Sequence, residues 1–274
     1  MRANRLPAPA RVRQAMLVAA LLGWELIPRT GLLPELFLPS LSKTLTVLVS
    51  DWRIYGLAML TTVGEILLSM LIACGGGITL GAMVGGLARM RSLLLPVFSS
   101  LYAIPIVILY PVFTAWFGVG PESKIAFAGI YAFFPVVLST AAGIRTIDPQ
   151  YMVAARSMGA TIGQLVTRVI IPAALPTVFT GLRLGGALAI IGVVVSEMLT
   201  AAAGIGYLVT LNRTILDSPR VFAALLLILL LSIAYDIVTR RLERRLLAWQ
   251  PANRTVAGGR VAGGGGAGPN VSAA

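Results

Sequence analysis

Three carboxyl side chains, Glu65, Glu197 and Asp236, fall within or beside long apolar runs of this 274-residue chain. An acid held inside a membrane is costly, and one kept there can carry a proton, bind a sodium ion or bond a neighbouring helix. The first two uses would belong to a gradient-driven transporter or channel. The third is a plainer interhelical role. Other chemistry is scarce. Histidine is absent, and the single cysteine, Cys74, reads as a small core residue, so neither a metal centre nor a disulfide is expected. The only lysines, Lys43 and Lys124, lie outside any G-x-x-x-x-G-K-[ST] pattern. The chain therefore has no phosphate-cradling loop of its own, and enzyme activity is not expected.

The elements that must position these acids are membrane helices. The chain is 57% hydrophobic and 12% charged, with a mean hydropathy of +0.89, whereas a soluble domain carries roughly 25% charge. A net charge of +12 would suggest nucleic acid on a soluble protein. Here the arginines cluster between apolar runs and at the two ends, which is a topology signal. The sequence predicts an all-α polytopic membrane helix bundle of about six transmembrane helices.

Residues 14–27 form a short first span, interrupted by Glu25. Four preceding arginines give it the look of a signal peptide, but the bulky stretch at 24–28 offers no cleavage site, so an uncleaved helix is expected. Within 28–56, Leu41, Leu45, Leu48 and Val49 share one helical face, suiting an external interfacial helix or one packed on the bundle. Residues 57–87, 93–117, 125–144, 177–201 and 221–238 are the further spans, the last continuing through a basic end toward Trp249. Pro96, Pro105 and Pro111 in the third should free carbonyls that must face protein or a wet cavity. The chain thus divides into an N-terminal segment (1–56), a core domain (57–249) and a Gly-rich tail (250–274) expected to be disordered.

Gly77, Gly81 and Gly85 recur at four-residue spacing, as do Gly181, Gly185 and Ala189. Such rows let helices approach closely, either within one bundle or, for the second row, against another protomer. Arg183 lies between Gly181 and Gly185, as an interface anchor that snorkels or a contact for an anionic substrate. Fifteen basic residues fall in one set of alternate loops and six in the other. The richer set, which includes both termini and residues 145–176, is expected to face the cytoplasm.

Residues 151–172, YMVAARSMGATIGQLVTRVIIP, interrupt this pattern. Asp148 can N-cap a helix with Pro149 in its first turn, and Gly159 can supply a left-handed residue after its end. Thr161 and Gln164 have capping-box spacing for a second helix, which Pro172 and Pro176 should bring to an end. Met152, Val153, Met158, Ile162 and Leu165 make the segment too apolar for a solvated connection. Such a surface needs a partner.

The pattern A-A-x-x-x-G followed by I-x-P, carried by Ala154, Ala155, Gly159, Ile170 and Pro172, resembles the EAA loop of ATP-binding-cassette importer permeases. The continuation PAALPTVFTGLRLGGALAIIGVVVSEMLTAAAGIGYL resembles the nitrate/sulfonate/taurine branch, and the likeness extends over about residues 57–249. Val153 stands where the motif has its leading Glu, so a salt bridge made by that Glu would be missing. The resemblance implies a bacterial inner-membrane permease, without cofactor, that forms the pore as a pair, in the first instance a homodimer. A cytoplasmic ATP-binding subunit would grip residues 146–172, with Val153, Ala154, Ala155, Gly159, Thr161 and Pro172 as coupling residues. A solute-binding protein would deliver a small anion, such as nitrate or an alkanesulfonate, or a related small metabolite from outside. Glu65, Pro105, Gly181, Arg183, Gly185 and Glu197 are the candidates for the pathway or the protomer interface.

Overall fold

The computed structural model describes residues 9–200 and 202–247, and among these every regular element is helical. In chain order they are α1 (Pro9–Arg29), α2 (Leu41–Ser50), α3 (Trp52–Gly86), α4 (Ala88–Ala103) and a 3-10 turn (Ile106–Leu109) leading into α5 (Tyr110–Phe117). Next come α6 (Pro121–Arg145), α7 (Pro149–Ser157), α8 (Ile162–Leu165), a π turn (Val166–Ile170), α9 (Ile171–Thr200), α10 (Ile205–Thr214) and α11 (Ser218–Leu246).

The centre is a three-helix contact of α3, α6 and α9, and the glycine rows explain why it forms. A Cβ added at Gly77 or Gly81 would lie 2.7 Å from Val136 or Thr140, and one at Gly85 3.0 Å from Ile144. Numbers rise together along the two helices, so α3 and α6 run parallel. The second row meets α6 beside the first, with opposite polarity: Gly181 faces Ser139, and Gly185 faces Val136, which also meets Gly77. Both rows are therefore used inside this chain, where small residues permit backbone-to-backbone packing.

Among the described residues four helices are long and apolar enough to cross a membrane: α3, α6, α11 and the continuous run Ile162–Thr200. The expected third span is broken. α4 and the segment Ile106–Phe117 meet at an angle of 84°, with Pro105 at the break, where it cannot donate to a preceding carbonyl. Because α3 and α6 are parallel, this bent pair must return the chain across the bundle, giving a fifth crossing. α1 is not one of the four, because only eleven residues separate Arg13 from Glu25, short of the ~20 a spanning helix needs. The expectation of about six thus becomes five among the described residues, four continuous helices and the bent pair.

Other boundaries also shift. The fourth span begins at Pro121 and takes Lys124 inside the helix, fully covered. Pro172 and Pro176 do not end the loop's second helix, which passes through the π turn into α9 without a break. Proline removes a helix hydrogen bond, and a widened turn immediately before it is one way to absorb that loss. α10 was not foreseen. It buries Ile205, Leu208 and Val209 against Tyr55, Ala223 and Ala224. α2 forms as expected, yet Leu45 and Val49 are exposed, while Thr44, Val47 and Leu48 face the bundle. Trp249 and the Gly-rich tail lie outside the described residues.

Candidate functional site

The loop between α6 and α9 is held by local bonds throughout. Asp148 accepts from the Gln150 N–H at 2.9 Å, capping α7. At the other end Gly159 has φ +77°, its N–H donates to Arg156 O (2.9 Å), and the Ala160 N–H donates to Ala155 O (3.0 Å). That pair of bonds is a Schellman closure, which depends on a left-handed residue at this point. The capping box is complete: Gln164 N–H to Thr161 Oγ1 at 3.3 Å and Thr161 N–H to Gln164 Oε1 at 2.9 Å.

These bonds fix the backbone and leave the apolar side chains outward. Tyr151, Val153, Met158 and Ile162 are exposed, the last two above 80%. Beside them is a cavity of about 670 Å³ lined by Asp148, Tyr151, Ala154, Met158, Arg168 and Pro172. Of the two small motif residues Ala154 is exposed, but Ala155 is buried against the loop itself. Leu165, expected to add to the exposed face, is buried as well.

The acids expected inside the bundle all have partners. Glu65 on α3 pairs with Lys124 on α6, and both side chains are about 5% exposed. Glu197 near the end of α9 has Oε2 accepting from the Gly206 N–H (2.8 Å) and Oε1 accepting from the Thr62 hydroxyl (2.7 Å). Thr62 in turn accepts from the Ile205 N–H at 2.9 Å. Two otherwise orphaned amides at the start of α10 are thus satisfied by side chains from α9 and α3. Asp236 pairs with Arg240 one turn along α11, at 2.6 Å on an exposed face. The role of Lys124, Thr62, Gly204 and Gly206 was missed from sequence. The G-I-G triplet at 204–206 was the available signal, since Gly204 has φ +106° and places the start of α10 against Glu197.

The remaining candidates separate. Pro105 is exposed at the 84° break. Gly181 and Gly185 are buried against α6. Arg183 forms an ion pair through one guanidinium nitrogen with Glu243 of α11, while its Nε has no partner among the described residues.

A membrane bundle with crossing helices packed on glycine rows, and an exposed doubly capped helix pair at one end, defines a transport permease. The chain belongs to the family of binding-protein-dependent transport system inner membrane components, whose model matches residues 77–248. It is similar to SsuC of Bacillus subtilis (strain 168), with 30% identity over 83% of each chain. It is also similar to the taurine transport system permease protein TauC of Escherichia coli (strain K12), with 29% identity over 82% of this chain and 85% of TauC. The formylaminopyrimidine transport permease protein ThiX of Halalkalibacterium halodurans is 36% identical over 64% of this chain and 70% of its own. In fold, the chain resembles the MetNI methionine ABC transporter solved in inward-facing conformations. There the TM-score is 0.59 with 20% identity, over 68% of this chain and 93% of the other.

Proposed function

We propose that this permease is the membrane path of an ATP-driven importer, with a separate ATP-hydrolysing subunit seated on residues 146–172. A second copy of the chain completes the pore, and an extracytoplasmic binding protein delivers the solute. The reading rests on one observation above all: α7 and α8 are rigidly capped, yet present Tyr151, Val153, Met158 and Ile162 to the outside. A face so ordered and so apolar suits a protein partner. Closing the partner would push on α8, which is continuous with α9 and so with the centre of the bundle. The solute class that fits the relatives is a small sulfonate, taurine or a compact heterocycle. Arg168 and Asp148 at the rim of the loop cavity offer polar contacts in place of the motif Glu that Val153 replaces.

A gradient-driven mechanism through Glu65, Glu197 and Asp236 is the competing reading, and the partners of these acids speak against it. Vesicles holding the permease, its ATPase and its binding protein decide between them. Uptake should require ATP inside and persist when proton and sodium gradients are collapsed. Uptake that follows either gradient without ATP would overturn the proposal.

A further inference from the structure

The end of the bundle opposite the loop contains a cavity that the coupling reading does not use. It measures about 200 Å³ and is lined by Glu65, Lys124, Tyr110, Thr200 and the turn residues Gly120 and Ala203. One water occupies about 30 Å³ of liquid, so the space suits a solute of a few heavy atoms. It lies between the turns that join α5 to α6 and α9 to α10, where a solute delivered from outside would first enter.

The lining is polar in a particular way. Glu65 is 4% exposed, and beyond the ion pair with Lys124 neither of its oxygens receives a hydrogen bond among the described residues. The carboxylate of Glu197 lies beside it and itself accepts from Thr62 and Gly206, so as an anion it brings a second acceptor and no donor. A buried carboxylate with unused acceptor capacity calls for a donor-rich group. Lys124 has three donors, one of which is directed at Glu65. The hydroxyls of Tyr110 and Thr200, 2.7 Å apart, complete the rim. Two carboxyl groups accompany a single ammonium here, so a bare anion finds no surplus of positive charge. An acceptor and a donor of opposite charge, side by side in one small cavity, match a ligand carrying both signs.

We propose that this cavity is an entry site for a small zwitterion, with its primary ammonium on Glu65 and its acid group on Lys124 and the Tyr110–Thr200 hydroxyls. The assignment rests on the importer reading and narrows its solute class from sulfonates in general to those bearing an ammonium.

The test is saturation-transfer NMR on the full chain in lipid nanodiscs, which needs neither ATP nor partner subunits. Taurine should bind saturably, while methanesulfonate and ethylammonium, each having half of its charges, should bind at least tenfold more weakly at equal ionic strength. The double variant Glu65→Gln/Lys124→Gln should lose taurine binding at least tenfold. Tyr110→Phe, which removes only a rim hydroxyl, should weaken it severalfold and serves if the double variant does not fold. Equal binding of methanesulfonate or ethylammonium, unchanged binding in either variant, or no binding to the wild type would overturn the site. Any of these leaves ATP-dependent uptake untouched, whereas failed uptake with intact binding would overturn the importer and not the cavity.

Discussion

Glu197 shows a buried acid in the plainer of the roles open to it, bonding one helix to its neighbours. Its carboxylate receives the Gly206 N–H and the Thr62 hydroxyl, at 1% exposure. Glu197→Ala leaves the buried Gly206 N–H unsatisfied, at a cost of about 1–3 kcal/mol, while the Thr62 hydroxyl can still donate to Ala58 O (3.0 Å), so the thermal unfolding midpoint of the purified protein should fall. Glu197→Gln keeps an acceptor for the Gly206 N–H and can set its NH2 against the Thr62 oxygen, whose proton then goes to Ala58 O, so its loss should be smaller than that of the alanine variant. An alanine variant as stable as the wild type would remove the capping role. Gly204→Ala should behave like the alanine variant, because φ +106° is strained for any residue with a Cβ and that Cβ would run into the Glu197 carboxylate. Beyond the G-I-G triplet at 204–206, neighbouring residues carried no sign of this arrangement. Thr62 is 135 positions from Glu197, and a cost-driven reading of an intramembrane acid finds no partner in local sequence. The burial of Lys124 is the same case: a charge at the edge of an apolar run reads as a loop until Glu65 is seen across from it.

Among the elements, the α7–α8 loop was the most legible, because its determinants are spaced three or four residues apart. Asp148, Gly159, Thr161 and Gln164 do in the structure what their spacing predicts. The bend at Pro105 and the start of α10 depend instead on what packs against them, and so escaped. Gly159 is the sensitive point. No atom lies within 4 Å of a Cβ built there, so the cost of Gly159→Val is backbone strain alone, about 1 kcal/mol or more. That is small against a membrane bundle but large for one turn. Insertion should be normal, while co-purification of the proposed ATPase partner and ATP-dependent uptake should both fall at least tenfold. The two alanines should differ. Ala154→Trp, on an exposed face, should block the partner and spare folding, whereas Ala155→Trp should disrupt the loop itself. Arg156→Ala, exposed and outside the caps, should stay within about twofold of wild type. Wild-type partner yield and uptake in Gly159→Val would reduce the loop to a connection.

For the whole molecule, the geometry fixes which residues share an end, and the charges indicate which end faces the cytoplasm. α3, α6 and α11 run toward the end that holds the loop, and α9 runs away from it. Arg89, Arg91, Arg145, Arg156, Arg168 and the basic turns of α11 therefore gather at one end. Arg53, Arg213 and Arg220 lie at the other, where Arg220 is bonded to Asp51 and Asp217. Burial of Lys124 withdraws one of the six charges counted on the poorer side, and because α1 is not a span the four N-terminal arginines no longer count toward the richer one, which leaves eleven against five. The outer surfaces of α3 and α11 carry Leu60, Leu67, Leu71, Leu229 and Ile233 exposed, as expected where lipid is the solvent. With Cys74 replaced by serine, Ala160→Cys and Arg244→Cys should react with a membrane-impermeant maleimide only after the cells are opened. Glu122→Cys should react in intact cells. The geometry requires the first two to agree with each other and to oppose the third, whatever the orientation. Agreement with the sides reversed would refute the charge argument alone, whereas Ala160→Cys and Arg244→Cys labelling from opposite sides would refute the helix count.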